Sequence, residues 1–246
     1  MSKKGKWLGI IIVLLGLGLL IGGIVLSGSK PSDNPVPKDG GLKKDMKAYS
    51  QKLSNLYDSI INYATGYCGN YVLFTDKKMT VNDLSNQDIG KIVAYNLYKE
   101  SKGDSQQAYI WNGTTYSKKQ VDAAVKKLFG SKVKFNHEKI SGCAVLKYDS
   151  SKKQYTVSAN NCKYCDTIAT RSKIVKSSDD KEKIVISVRV VFGQDGKYYS
   201  DYAKTNVIGS NIQSKDIDYN KGSLYNMVFK KENDNYVFSY VEPVKE

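Results

Sequence analysis

The sequence predicts an α+β domain joined to an N-terminal transmembrane helix, with about three helices packed on a curved antiparallel sheet of roughly six to seven strands. Three observations support this prediction. An unbroken apolar run lies near the start, helical apolar periods follow, and the second half alternates apolar and polar residues. We divide the 246 residues into a cytoplasmic tail (1–6), a membrane span (7–26), a linker (27–41) and an extracytoplasmic domain (42–246).

The span runs from Trp7 to Leu26, and every position in it is apolar or glycine. About 20 such residues are needed to cross the roughly 30 Å of hydrocarbon in a bilayer. Lys3, Lys4 and Lys6 precede the run without an acidic residue, so the positive-inside rule places the N-terminus in the cytoplasm. The sequence therefore predicts a single-pass protein of the cell membrane with its C-terminal domain outside. A cleaved signal peptide is the alternative, although its apolar region usually has only about 7–15 residues.

The linker is rich in Ser, Gly, Asp and Asn and holds three of the four prolines, so it cannot propagate a helix. A first helix is predicted from Leu42 to Tyr63, where apolar residues recur at alternating steps of four and three. We expect this stripe to pack on the domain's own sheet. A coiled coil is the alternative.

Two further helices are predicted from their ends. Ser85 with Asp88 forms a capping box before the second helix, and Ser117 with Gln120 forms one before the third. Gly130 stands where the C-terminal cap of the third helix belongs.

Beyond the third helix the apolar period changes to two, which is typical of strands. The strand over 183–192 directs five apolar residues to one face and Ser187 with Arg189 to the other. A turn is predicted at Ser177–Asp180 and a long polar loop at 204–222. The predicted strands cover 143–148, 154–159, 167–176, 183–192, 197–202, 224–231 and 236–241.

The segments 83–88, 125–130, 229–232 and 236–238 resemble those of uncharacterised single-pass exported proteins of low-GC Gram-positive bacteria and their relatives. The resemblance covers much of the outer domain and implies no activity. The order of elements is also similar to that of nuclear transport factor 2-like and cystatin-like folds, as found in membrane-anchored secretion components.

The formal net charge is +14, and nearly all of the positive charge is lysine, because Arg171 and Arg189 are the only arginines. Lysine is a hydrated point charge, whereas recognition of phosphates and base edges favours the planar fork of arginine. We therefore expect attraction to an anionic surface, such as phospholipid headgroups or wall polymers, and not to nucleic acid. A solvated basic surface without a partner is the alternative.

The four cysteines offer the most specific chemistry. Outside the membrane, a disulfide between Cys143 and either Cys162 or Cys165 is expected. A zinc site that adds Cys68, or His137 in place of one cysteine, is an alternative, but a second CxxC motif is missing. A catalytic Cys162–Cys165 pair is a further alternative, although the following residues read as a strand and not as the helix that would activate a thiol. No metal or cofactor is predicted.

The other polar residues give no catalytic pattern. His137, the only histidine, is expected to be an exposed loop residue. Asp201, Asp216, Asp218 and Glu242 are scattered carboxylates without a spacing that selects a pair. Several tyrosines could line a groove for a glycan or peptide, although ordinary packing is the stronger expectation. These are Tyr198, Tyr199, Tyr202, Tyr225, Tyr236 and Tyr240.

No catalytic residue is therefore predicted. We expect a membrane-anchored extracytoplasmic protein that binds or scaffolds at the cell surface. Its partners would be the lipid bilayer, through residues 7–26, and anionic envelope polymers or other membrane proteins. The alternatives are an extracytoplasmic thiol-dependent enzyme using Cys162 and Cys165, and a subunit of an envelope or secretion complex.

Overall fold

The structure, a computed structural model, describes residues 40–61, 71–102, 111–142, 144–159, 170–180 and 182–246. The chain divides into two compact units, Met1–Met46 and Lys47–Glu246. Of the first unit only residues 40–46 are described, and they begin the first helix. No described helix is both long enough and apolar enough to span a membrane. The predicted span, Trp7–Leu26, lies outside the described residues.

In the described part of the chain there are three α-helices: α1 (Gly40–Ile60), α2 (Asn86–Lys102) and α3 (Lys118–Phe129). Both predicted capping boxes are confirmed. The hydroxyl of Ser85 accepts a hydrogen bond from the Asp88 amide at 3.1 Å, and that of Ser117 accepts one from the Gln120 amide at 3.2 Å. Such caps typically contribute about 1 kcal/mol each. Gly130 ends α3 with φ +89°, a conformation that favours glycine.

All strands of the described residues pair antiparallel. They are β1 (Met79–Thr80), β2 (Thr115–Ser117), β3 (Ala144–Asp149), β4 (Gln154–Ala159), β5 (Arg171–Asp179), β6 (Lys183–Gln194), β7 (Lys197–Tyr199), β8 (Val207–Ser210), β9 (Ser223–Glu232) and β10 (Asn235–Pro243). The strands form one sheet of seven, in the order β1-β10-β9-β6-β7-β8 with β5 also paired to β6, and one sheet of three, β2-β4-β3.

Strand β6 pairs with β5, β9 and β7 and forms the centre of the larger sheet. Its predicted alternation is confirmed, because its apolar face lies in the main core while Ser187 and Arg189 lie on the opposite face, which we call the outer face. At one end this outer face is covered by a second small apolar cluster, which contains Val191, Tyr198 and Ile217. The core-facing residues are Ile184, Ile186, Val188, Val190 and Phe192.

One main core contains side chains from all three helices and both sheets. From α1 it takes Leu53, Tyr57 and Ile60, which are at most 8% exposed. Complete burial of an aliphatic side chain contributes about 1.5–3 kcal/mol, so this half of the α1 stripe is committed to its own domain. The expectation that α1 packs on its own domain is confirmed for these residues.

Several expectations are wrong in detail. The described residues form ten strands in two sheets, where one sheet of roughly six to seven strands was expected, and the β5 strand continues to Asp179 where a turn was expected from Ser177. Strands β1, β2 and β8 were not predicted, and β8 lies inside the predicted polar loop. Each has two to four residues, which is too short to show an alternation of apolar and polar residues. The β1 strand also depends on a partner far away in the sequence, because Met79 pairs with Val241. Apart from these corrections, the segment Tyr71–Leu73 forms a 3-10 helix.

Candidate functional site

The cysteines that were predicted to carry chemistry, Cys68, Cys143, Cys162 and Cys165, lie outside the described residues. The disulfide, the cysteine zinc site and the thiol enzyme therefore stay predictions. Within the described residues, no group of three or more His, Cys, Asp or Glu side chains is placed to hold a metal ion.

The scattered carboxylates mostly hold local structure. Asp201 accepts hydrogen bonds from the amides of Thr205 at 3.0 Å and Asn206 at 2.8 Å, and Asp218 accepts one from the Asn220 amide at 3.1 Å. These bonds close loops, as is typical of aspartate at turns. Tyr198 and Tyr225 are buried in apolar clusters, so packing is confirmed for these two predicted groove residues.

A polar cluster lies where α3 meets the three-stranded sheet. Its members are Asp122 on α3, His137 in the loop after α3, and Tyr155 on β4, and we call it the His137 cluster. The Nε2 atom of His137 lies 2.8 Å from Oδ1 of Asp122, and its Nδ1 atom lies 2.8 Å from the hydroxyl of Tyr155. Lys118 forms an ion pair with the other carboxylate oxygen of Asp122 at 2.8 Å. Both ring nitrogens of His137 are therefore engaged.

The direction of these hydrogen bonds follows from the chemistry of the partners. An ionised Asp122 only accepts, so Nε2 of His137 carries a proton and Nδ1 accepts from Tyr155 in the neutral ring. Burial raises the pKa of the Tyr155 hydroxyl, which keeps it protonated as the donor. Burial also tends to raise the pKa of Asp122, but the hydrogen bond from Lys118 and the proximity of His137 lower it overall.

This arrangement corrects the expectation that His137 is an exposed loop residue. Its side chain is only 11% exposed, and its ring packs against Phe135 and Tyr148 at centroid distances of 5.4 and 5.3 Å. Because both nitrogens already have partners, His137 is not available to complete a zinc site. Tyr155 is fully buried and cannot reach a substrate, so the cluster ties α3 to β4 and offers no open catalytic position.

The loop that carries His137 is also held from the start of α2. The side-chain amide of Asn86 donates to the carbonyl of Asn136 at 2.9 Å, and the side-chain amide of Gln87 donates to the carbonyl of Lys139 at 2.9 Å. Gln87 also accepts from the Ser141 amide at 3.0 Å. Asn86 and Gln87, which directly follow Ser85 of the first capping box, thus hold the loop in place.

An open depression of about 580 Å³ lies beside the turn between β5 and β6. It is lined by Asp179, Asp180, Glu182, Lys231 and Tyr236. Two of its three carboxylates already have protein partners, because Asp180 accepts from the backbone of its own turn and Asp179 forms an ion pair with Lys52 of α1 at 3.4 Å. We therefore interpret the depression as the surface beside a turn that the Asp179–Lys52 ion pair connects to α1.

The outer face of β5 and β6 concentrates positive charge. Arg171, Lys173 and Lys176 of β5 and Arg189 of β6 lie on this face, and we call these four residues the outer-face cluster. In the strand register Lys173 pairs directly with Arg189, and Arg171 and Lys176 pair with the neighbouring outer-face positions of β6. Both arginines of the chain are thus diagonal neighbours on one surface.

Arg189 is the anchored member of the outer-face cluster. One of its terminal nitrogens donates to the carbonyl of Gly222 at 2.9 Å, and its two terminal nitrogens contact the two carboxylate oxygens of Glu246 at 2.5 Å each. A side chain at position 222 would collide with the backbone, since its Cβ would lie 2.5 Å from the Val190 oxygen. Glycine therefore lets the loop approach β6 closely enough to orient Arg189.

The charges around Glu246 stabilise its ionised form. The hydrogen bond from Arg189 lowers the pKa of the Glu246 carboxyl, and the charges of Arg189 and Lys176 lower it further, against the opposing effect of burial. In the described part of the chain, Lys173 and Lys176 form no ion pair within 4.0 Å. The outer-face cluster thus has more positive charge than Glu246 neutralises.

The outer-face cluster was not predicted as a site. The sequence indicated that Arg189 faces away from the core, but the pairing of β5 with β6 has a bulge between Ile174 and Lys176, which shifts the register. The rarity of arginine in so lysine-rich a chain was the available signal. Comparison with known proteins adds no assignment, because no family model, no curated protein and no solved structure matches this chain.

Proposed function

We propose that this chain is a single-pass membrane protein that presents its α+β domain outside the cell, where the domain binds an anionic partner. The apolar run Trp7–Leu26 and the lysines before it support the anchor and its orientation. A domain held by a linker of about 15 residues acts within a short reach of the membrane surface.

The observation that carries the binding proposal is the outer-face cluster. Four cations on two paired strands create a local positive potential, and arginine adds a planar fork that fits a carboxylate or a phosphate through two parallel hydrogen bonds. The strand pairing fixes the backbone positions of the four residues, and the hydrogen bond from Arg189 to the Gly222 carbonyl orients that guanidinium before a partner arrives. This preorganisation reduces the entropy lost on binding.

The test is binding of the full-length chain in nanodiscs to two soluble polyanions, poly-L-glutamate and poly(glycerol phosphate). The double variant Lys173→Gln/Lys176→Gln should weaken binding about five-fold, since each exposed charge pair contributes up to about 1 kcal/mol. The matched control is Lys119→Gln/Lys126→Gln, which removes the same charge from exposed positions on α3. Equal losses in both variants, or no binding of either polyanion by the wild type, would contradict the proposal.

The orientation is tested separately in intact cells. Protease added from outside should digest the domain and leave a short membrane-held fragment. Protection of the domain in intact cells, with digestion only after lysis, would reverse the proposed topology.

For the fold we propose a relationship to the nuclear transport factor 2-like or cystatin-like arrangement, in which a helix packs across an antiparallel sheet. In support, Tyr57 of α1 hydrogen-bonds Ser172 of β5, and Lys52 of α1 lies over the ring of Tyr236 of β10 at 4.4 Å. An experimental structure in which α1 does not cross this sheet would reject the relationship.

A further inference from the structure

The carboxylate of Glu246 contacts Arg189 of the outer-face cluster in the way that a bound anionic ligand would. The Arg189 side chain is 20% exposed, whereas that of Glu246 is 53% exposed. The Arg189 guanidinium is thus largely enclosed by the protein, and the Glu246 carboxylate contacts it from the solvent side. The two parallel contacts of 2.5 Å have the side-by-side geometry that arginine forms with a planar carboxylate.

The segment that delivers this carboxylate continues directly from the end of β10 at Pro243. The Val244 amide donates to the carbonyl of Leu224 at 2.8 Å, and Glu246 reaches Arg189 two residues later. Leu224 pairs with Arg189 across β9 and β6, so the main-chain hydrogen bond and the ion pair lie side by side. An extended peptide that makes one backbone hydrogen bond at the end of a strand and presents an acidic side chain therefore fits this surface.

The charge that remains after Glu246 is bound favours further acidic groups. Lys173 lies directly opposite Arg189, and Lys176 is close enough to influence the Glu246 carboxyl. Like charges placed directly opposite each other across two strands are unfavourable unless an anion lies between them. A ligand with several carboxylates would engage these lysines, which Glu246 alone leaves without an ion pair in the described structure.

We propose that the outer-face cluster is a docking site for an extended acidic segment of a partner protein, and that Glu246 is an internal stand-in that competes with it. This inference rests on the proposed function, because it names the partner of the same surface. The planar carboxylate held by Arg189 and the backbone hydrogen bond beside it favour a peptide over a phosphate polymer, which becomes an outcome of the test.

The experiment measures the binding of fluorescein-labelled hexaglutamate to the full-length chain in nanodiscs, with poly(glycerol phosphate) as the second probe. Glu246→Gln keeps the shape of the side chain and removes the competing charge. It should tighten hexaglutamate binding about five-fold, which is the factor that one exposed ion pair of about 1 kcal/mol represents. Adding Arg189→Lys to this variant should abolish the gain, because lysine keeps the charge but lacks the fork.

The matched control is Asp234→Asn, which makes the same change in net charge at an exposed position in the turn between β9 and β10. Equal effects of Glu246→Gln and Asp234→Asn would overturn the inference and leave the proposed function standing. A gain seen only with poly(glycerol phosphate) would overturn the peptide as the occupant. Failure of the wild type and every variant to bind either probe would overturn the proposed function together with the inference.

Discussion

The His137 cluster and the outer-face cluster are both polar, but they use their polar groups in opposite ways. In the His137 cluster each donor meets an acceptor within the protein, and the tyrosine at its end is fully buried. In the outer-face cluster, Arg189 holds the exposed carboxylate of Glu246, while Lys173 and Lys176 form no ion pair in the described part of the chain. The first arrangement pairs its polar groups within the fold, whereas the second leaves exposed lysines without an ion pair, which is the basis of the binding proposal.

The comparison shows that chemical appearance alone does not identify a site. An aspartate, a histidine and a tyrosine in a hydrogen-bonded row resemble catalytic machinery, since such rows orient a general base. Here both ring nitrogens of His137 are engaged, the main core encloses Tyr155, and Lys118 pairs with Asp122. The proposed binding function therefore rests on the exposed positive charge of the outer-face cluster and not on this row.

The largest expected effect follows from opening the His137 cluster. His137→Ala should lower the free energy of unfolding by roughly 2–4 kcal/mol, because it leaves the buried Tyr155 hydroxyl without its acceptor and removes ring packing. Urea denaturation of the full-length chain measures the loss. Lys134→Ala, an exposed change in the same loop, is the control and should have little effect.

The His137→Ala variant should bind the polyanions as tightly as the wild type. Binding is measured without denaturant, at a temperature well below the melting point of the variant. A stability loss below about 1 kcal/mol would mean that the hydrogen bonds do not hold the loop, since even one orphaned buried group costs about that much. Weakened polyanion binding by the folded variant would contradict the conclusion that the His137 cluster serves only the fold and the outer-face cluster serves binding.

A smaller, pH-dependent effect is expected at Asp122. Its pKa is lowered in the folded protein, so ionised Asp122 contributes stability above its ordinary value of 3.8 and loses that contribution as the pH falls through the folded value. The difference in stability between wild type and Asp122→Asn should therefore be full near neutral pH and shrink below about pH 4. Denaturation at a series of pH values measures it, with Asp234→Asn as the control. A constant difference down to strongly acidic pH would contradict the assignment.

Much of the fold was readable because its signals are local. Capping boxes place the ends of α2 and α3 within a few residues, and the alternation in β6 places its core face without knowledge of its neighbours. What could not be read is the pairing of segments that lie far apart in the chain. The β1 strand has no period of its own and exists because Met79 meets Val241.

The two clusters illustrate the same limit at the level of sites. His137 was misjudged because its partners, Asp122 and Tyr155, come from a helix and a strand on either side of it. A signal was nevertheless present, since Val133, Phe135 and His137 alternate with exposed residues and all three turn inward. The outer-face cluster depends on a bulged register, which no local pattern encodes.

The smallest expected effect, and the sharpest contrast, concerns the stability cost of the outer-face cluster. Lys173→Gln removes a cation that faces Arg189 across the strands, so it should leave the free energy of unfolding unchanged or raise it by up to about 0.5 kcal/mol. Added salt should reduce this gain, because it screens the repulsion in the wild type. Urea denaturation at low and high salt measures both effects, with Lys119→Gln on α3 as the matched control. A loss of more than about 1 kcal/mol would show that Lys173 is held by the fold, as His137 is, and would place the outer-face cluster among the structural features of the domain.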